Sequence, residues 1–90
     1  MKIKYYIDPD TNEPHIYKHE VEKAEIMDFF TEIKYFEFIR KDKSFESYGR
    51  LKTGRYLQVA YRKERDNTIF VITAYDIEDK EIINALEARK

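Results

Sequence analysis

The stretch Arg55–Tyr75, RYLQVAYRKERDNTIFVITAY, decides the predicted fold of this chain of 90 residues. Its first part, Arg55–Lys63, alternates apolar and polar side chains, which is typical of a strand that buries one face. The polar residues of Glu64–Asn67 predict a turn. Thr68–Tyr75 is apolar on both faces, as expected of a central strand that is covered on both sides. The stretch therefore predicts two neighbouring strands within a sheet.

Shorter patterns on either side supply the other elements. Upstream, the sequence predicts a strand, an amphipathic helix and two more strands, at Lys2–Asp8, His19–Phe30, from Ile33 to Arg40 and Phe45–Leu51. The apolar side of that helix is predicted at Val21, Ala24, Met27 or Asp28, and Phe30. Downstream, Asp79 is the predicted N-cap of a last helix, whose dipole Arg89 and Lys90 would complement. The sum is an α+β fold, a small antiparallel meander sheet of four to five strands packed with two helices, in one domain over residues 1–90.

Composition limits the kind of protein. Eight Tyr and six Phe can fill a small core, while two Gly and two Pro leave little of the chain resembling a linker. The absence of Cys excludes a disulfide framework and a thiolate nucleophile. No window approaches about eighteen consecutive apolar residues, and the N-terminus lacks the apolar region of a secretory signal. We therefore expect a soluble cytoplasmic protein without a membrane span.

The net charge of −1 hides a segregated distribution of charge. Residues 1–33 carry four Lys or Arg and eight Asp or Glu, residues 34–65 carry ten and four, and residues 66–90 carry three and six, which gives −4, +6 and −3. The cationic middle third can offer a local patch to phosphates. Alternatively, Lys and Arg at strand edges and turns only keep the surface soluble and discourage edge pairing. Charge alone leaves both interpretations open.

Several short strings carry a family resemblance: His19-Glu20-Val21 with Glu25, Gly49-Arg50, Gly54 to Leu57 with Val59 to Tyr61, and Val71 to Ala74. Together they resemble the BrnT family of small toxins, which has a RelE-like ribonuclease fold. The resemblance covers roughly residues 5 to 80. It implies a toxin-like domain that cuts messenger RNA without a metal and is silenced by a cognate antitoxin protein of the ribbon-helix-helix type.

One departure from the family pattern concerns the last strand. Members of that family typically carry a basic residue after a Ser/Thr-Ala pair, where this chain has Ala74-Tyr75-Asp76. If that cation assists phosphate binding, its loss implies a weakened or inactive nuclease, or a partial replacement by Tyr75.

Metal-free RNA cleavage needs proton transfer and cations for the charge on phosphorus. His19 is the first candidate for proton transfer, because an imidazole titrates near neutral pH. Arg50 and Arg55 are the candidate catalytic cations, since a guanidinium matches phosphate oxygens in pairs. In the alternative interpretation, His19 is a helix-start residue that bonds a nearby backbone group, and the arginines lie on a solvated sheet face.

The predicted RNA-binding set combines basic and aromatic residues, as single-stranded RNA sites do: Lys52, Arg62, Lys63, Tyr48, Tyr61 and Tyr75. Strand alternation places Arg62 and Lys63 on opposite faces, so only one of them can join a given patch. For most tyrosines, packing in the sheet is the competing explanation.

Metal and nucleotide chemistry find little support. His15 and His19 are four residues apart, but Pro14 places a loop-to-helix junction there, and a third ligand is lacking at a diagnostic spacing. The two glycines in GRLKTG lack the flanks of a phosphate-binding loop. We therefore expect no metal, no nucleotide cofactor and no membrane partner.

Two functions follow from the sequence. The first is a toxin-like RNA-binding protein, with RNA and an antitoxin as partners and with metal-independent endoribonuclease activity undecided. The second is a catalytically inactive protein-interaction module with the same RelE-like fold. The basic segment suits both, because an acidic protein partner is attracted to the same charges as RNA.

Overall fold

A five-stranded sheet with one helix on each face forms the computed structural model, which describes residues 1–88. The elements in chain order are β1 (Lys2–Tyr5), β2 (Ile7–Asp8), β3 (Glu13–Pro14), a 3-10 helix (His15–His19), α1 (Lys23–Thr31), β4 (Tyr35–Ile39), β5 (Phe45–Arg50), β6 (Tyr56–Glu64), β7 (Thr68–Asp76) and α2 (Lys80–Glu87). The α+β class, with two helices, is as predicted.

The main sheet has the order β1-β7-β6-β5-β4. Strands β4 to β7 form the predicted antiparallel meander. The sheet as a whole is mixed, because β1 pairs in parallel with β7, with Lys2 opposite Thr68. The predicted first strand is also divided: after Tyr5 the chain leaves the sheet, and Ile7–Asp8 forms a small antiparallel pair with Glu13–Pro14.

The predicted start of the first helix was wrong. Glu20 has a left-handed backbone conformation, with a φ of 58°, and ends the 3-10 helix. Helix α1 begins three residues later, where Glu22 and Glu25 form a capping box through reciprocal bonds between side chains and backbone. His19 therefore lies at the end of the 3-10 helix and outside α1.

The core lies between α1 and one face of the sheet. The buried residues of α1 are Ile26, Phe29 and Phe30, whereas Met27, predicted on the apolar side, is 42% exposed. The ring of Phe30 contacts that of Tyr61 edge to face, with centroids 4.9 Å apart. The alternation in β6 is confirmed, since its residues on this face are buried: Leu57, Val59 and Tyr61.

Helix α2 covers the opposite face less completely. Asp79 caps it as predicted, by accepting a hydrogen bond from the backbone N–H of Glu81. Leu86 is its buried residue. The predicted role of Arg89 and Lys90 lies outside the described residues. Within residues 1–88, neither helix has the length and apolar character to cross a membrane.

Candidate functional site

A cleft of about 450 Å³ lies between the 3-10 helix, β6, β7 and the start of α2. Two predicted site residues line it, His19 and Tyr75. The other lining residues are polar or acidic: Gln58, Asp76, Glu78 and Asp79. The cleft therefore offers an imidazole and a phenol in a largely anionic setting.

The side chains of the cleft contact one another directly. The His19 ring lies 5.6 Å from the Tyr75 ring and 5.5 Å from the His15 ring, measured between centroids. The Tyr75 hydroxyl accepts a hydrogen bond of 2.9 Å from the Gln58 side-chain amide. Partial burial raises the pKa of Tyr75, so this phenol remains protonated at neutral pH.

Arg55 joins distant segments of the chain through hydrogen bonds at one margin of this cleft. Its guanidinium donates to both oxygens of Glu25, at 2.9 and 3.0 Å, and to Asp76 at 2.7 Å. It also donates to the backbone carbonyls of His19 and Glu20. The hydrogen bond to Asp76 and the contacts with Glu25 outweigh burial and raise the pKa of Arg55 further. The fork that was predicted to bind phosphate is therefore already engaged by the protein itself.

The other predicted cations also face carboxylates, and they lie apart. The pairs are Arg50 with Glu87 at 3.8 Å, Lys52 with Glu32 at 3.2 Å, Arg62 with Asp42 at 3.6 Å and Lys63 with Glu37 at 2.9 Å. Arg50 is opposite Tyr56 at the start of β6, while Arg62 is six residues further along that strand. At about 3.3 Å per residue they are separated by roughly 20 Å. The predicted set does not form one cationic surface.

Strand alternation explains how the two neighbouring cations of β6 separate. Lys63 reaches Glu37, which also accepts a hydrogen bond from the Tyr61 hydroxyl on the α1 side of the sheet. Arg62 reaches Asp42, in the turn between β4 and β5. The two side chains therefore use different partners, consistent with the predicted opposite faces.

The three predicted tyrosines have different environments. Tyr61 is fully buried, and its hydroxyl bonds to Ser47 and Glu37, so it has no face available to stack on a base. Tyr48 is half-buried and donates to Glu46. Tyr75 alone of the three lines the cleft. The prediction that Tyr61 stacks on RNA is wrong. Tyr61 lies on the same face of β6 as Leu57 and Val59, and this face packs into the core.

The raised pKa values of the Tyr48 and Tyr61 hydroxyls predict a loss of folding stability at alkaline pH. Burial and the hydrogen bond to Glu37 raise the pKa of Tyr61, and burial and Glu46 raise that of Tyr48. Unfolded tyrosine ionises near pH 10, so the unfolded state loses these protons first and folding stability falls as pH rises above about 10. Tyr61→Phe is expected to reduce that fall by about 1.4 kcal/mol per pH unit in denaturation curves. An unchanged slope contradicts the assignment, and exposed Tyr17→Phe serves as the control.

A second polar cluster was not predicted. Asp8, 5% exposed at its side chain, accepts from Lys18 at 2.7 Å and contacts the His15 ring nitrogen at 3.0 Å. The hydrogen bond from Lys18, the Asp10 backbone N–H and His15 hold the pKa of Asp8 well below its usual range. Its members are up to ten residues apart in the chain. The β2–β3 turn brings Asp8 and Asp10 close to the 3-10 helix that carries His15 and Lys18.

Metal ligation has no geometric basis in the described chain. Between residues 1 and 88, no group of three or more His, Cys, Asp or Glu side chains is placed to hold a metal ion. The His15 ring is instead bound to Asp8, while its neighbour His19 faces Tyr75.

An apolar groove of about 330 Å³ lies on the α2 side of the sheet. We call it the apolar groove and define it by Phe36, Phe38, Tyr48, Ile82 and Ala85. Phe38 is 55% exposed, and Ile39, on the other face of the same strand, is 69% exposed. The alternation of β4 predicted that Phe36 and Phe38 share a face, which the groove confirms, although the sequence did not show that this face stays open.

Comparison with protein-family models, with curated proteins and with solved structures finds no match to this chain. The BrnT-like and RelE-like resemblance therefore stays a prediction.

Proposed function

We propose that this chain is a protein-interaction module without catalytic activity, and that a partner docks on the apolar groove and the adjoining β4 edge. The observation that carries the proposal is the exposure of Phe38, which lines the groove, and of Ile39 on the other face of the same edge strand. Exposed apolar side chains that are concentrated at one edge of a sheet commonly mark a protein contact. The partner proposed is a polypeptide.

The distribution of charge argues against RNA as the main ligand. Every cation of the predicted site faces a carboxylate of the chain, and the cleft beside His19 is lined by Asp76, Glu78 and Asp79. Phosphates that approach this cleft meet like charge. RNA can bind at Arg55 only after the hydrogen bonds of Arg55 to Glu25 and Asp76 break. Breaking them costs free energy, a cost that is absent at a site whose arginines are unpaired before RNA binds.

A second candidate function is toxin-like RNA binding with metal-free endoribonuclease activity, silenced by an antitoxin. Its support is the grouping of three predicted residues, since His19 and Tyr75 line the cleft and Arg55 bonds to the His19 carbonyl and to Asp76 at its margin. An imidazole beside a phenol can transfer protons. The cations that the sequence predicts for the developing phosphorane charge all face carboxylates in the described part of the chain, which weakens this candidate.

Incubation with RNA in the presence of EDTA distinguishes the two functions. The interaction module is expected to leave single-stranded RNA intact, and expression of the chain is expected to leave growth unchanged. Cleavage by the wild type that is lost in His19→Ala overturns the proposal and establishes the second candidate. The matched control is His15→Ala, whose ring lies beside His19 but outside the lining of the cleft. Cleavage that persists in both variants is attributed to a contaminant.

A further inference from the structure

Strand β4 is an open edge of the sheet. The strand order ends at β4, and within residues 1–88 no other strand pairs with its outer side. An edge strand presents unpaired N–H and C=O groups, which can template the addition of another strand. β4 is therefore a potential pairing site on the backbone as well as through its side chains.

The sequence of β4 lacks the usual protection of an edge. Natural edge strands are blunted by Pro, by Lys or by a bulge, and the other edge, β1, carries Lys2 and Lys4. Tyr35–Ile39 contains neither Pro nor Lys, and its pairing with β5 is continuous from Tyr35 opposite Gly49 to Ile39 opposite Phe45. Its single charge, Glu37, is held by Lys63 and Tyr61.

The hydrogen bond that closes the β4–β5 pair shows which groups face outward. The backbone N–H of Arg40 donates to the Ser44 carbonyl at 2.7 Å, so Arg40 directs its N–H toward β5. Because this direction alternates in an antiparallel pair, Phe38 and Phe36 also face β5. The backbone groups of Tyr35, Glu37 and Ile39 consequently face the open edge.

We propose that a second copy of this chain adds antiparallel to β4 and joins the two sheets into one. The inference deepens the proposed function by naming the partner, and it rests on that function. The two-fold axis passes at Phe38, so that each Phe38 is opposite the Phe38 of the other copy. A two-fold contact of this kind uses the same surface twice and closes on itself.

Side-chain complementarity selects this register. With Glu37 on the axis, two carboxylates would be opposite each other, which is unfavourable. With Phe38 on the axis, Glu37 is opposite Ile39, and Phe36 is opposite Arg40, the residue that follows β4 in the other copy. The last pair brings a guanidinium toward an aromatic ring, which is an attractive arrangement. This register also covers the two most exposed apolar residues of β4.

The contact is small, and a reversible dimer is expected. Stable interfaces bury about 1,200–2,000 Å² in total. A five-residue strand pair reaches such an area only when Phe38 of each copy also packs toward the apolar groove of the other. Sedimentation velocity from micromolar to millimolar protein is expected to show a monomer that converts to a dimer.

A pair of lysine substitutions tests the location of the contact. Phe38→Lys places like charges opposite each other on the axis and is expected to weaken the dimer at least about tenfold, which corresponds to about 1.4 kcal/mol. Met27→Lys makes the same change at an apolar residue of similar exposure on α1 and is expected to dimerise like the wild type. Equal weakening by both variants overturns the assignment to β4.

Cysteine cross-linking tests the register, because the chain has no cysteine of its own. Across the axis of an antiparallel pair, Cα atoms are about 4.5–5.5 Å apart, within the range of a disulfide. Mild oxidation is expected to link Phe38→Cys much faster than Glu37→Cys or Met27→Cys. Faster linking of Glu37→Cys overturns the register, and equal rates for Phe38→Cys and Met27→Cys overturn the contact itself.

The outcomes separate this inference from the function on which it rests. A wild type that stays monomeric up to millimolar concentration overturns the second copy as partner, whatever the RNA assay shows. Cleavage of RNA that depends on His19 overturns the proposed function, even if a dimer forms.

Discussion

Replacing Arg55 with alanine is expected to lower the free energy of unfolding by about 2–4 kcal/mol. The substitution leaves the carboxylates of Glu25 and Asp76 and two carbonyls without their donor. The Arg55 side chain is 23% exposed, so water compensates in part and the lower end of the range for breaking a buried pair applies. Urea denaturation at neutral pH measures the change.

Two variants control for the loss of charge alone. Arg55→Lys keeps the charge but lacks the planar guanidinium, so it cannot reach two carboxylates and two carbonyls at once and is expected to recover less than half of the lost stability. Lys52→Ala removes a cation from an exposed pair with Glu32 and is expected to change stability by at most about 0.5 kcal/mol. If Arg55→Ala lowers the free energy of unfolding as little as Lys52→Ala does, the hydrogen bonds of Arg55 do not stabilise the fold.

Gly49→Ala is expected to destabilise the protein by about 1–3 kcal/mol, the usual cost of overpacking a core. A Cβ at this position would lie 2.8 Å from Cδ1 of Ile33 and 2.9 Å from Cε2 of Phe29. Phe29 is fully buried and its ring stacks on that of Tyr35, so it has little room to shift. The gain from a stiffer unfolded chain, about 0.4–1 kcal/mol, offsets the cost only in part.

A double variant checks that steric crowding is the cause. Ile33→Val removes Cδ1, the nearest atom, and the combination with Gly49→Ala is expected to be more stable than the sum of the two single changes predicts. The Phe29 contact remains, so the rescue is partial. Strict additivity of the two changes in denaturant midpoint contradicts the crowding argument.

The sequence predicted the strands well because their pattern is local. Alternation with a period of two located β4 and β6 to within about two residues, the apolar run Thr68–Tyr75 located β7, and the Asp79 cap located α2. The start of α1 was missed because Glu20 takes a left-handed conformation that nothing in its neighbours requires. Its carbonyl, like that of His19, is bound by Arg55, which is distant in the chain.

The candidate site was predictable only in part, because its contacts also join residues that are distant in the chain. His19 and Tyr75 were singled out from sequence and do line one cleft. The pairing of Arg55 with Glu25 and Asp76 joins residues 30 and 21 positions apart, so no local pattern reports it. A count of charges recognised the basic segment, whereas only the fold shows which carboxylate each cation meets.

The parallel pairing of β1 with β7 has a consequence for synthesis on the ribosome. β1 is made before the meander, and its partner Thr68–Val71 follows it by 66 residues in the chain. β1 therefore remains unpaired until β7 has been made. Long-range pairing of this kind slows folding. We expect the nascent chain to remain sensitive to proteases until Thr68–Val71 has left the ribosomal tunnel and β1 has paired with it.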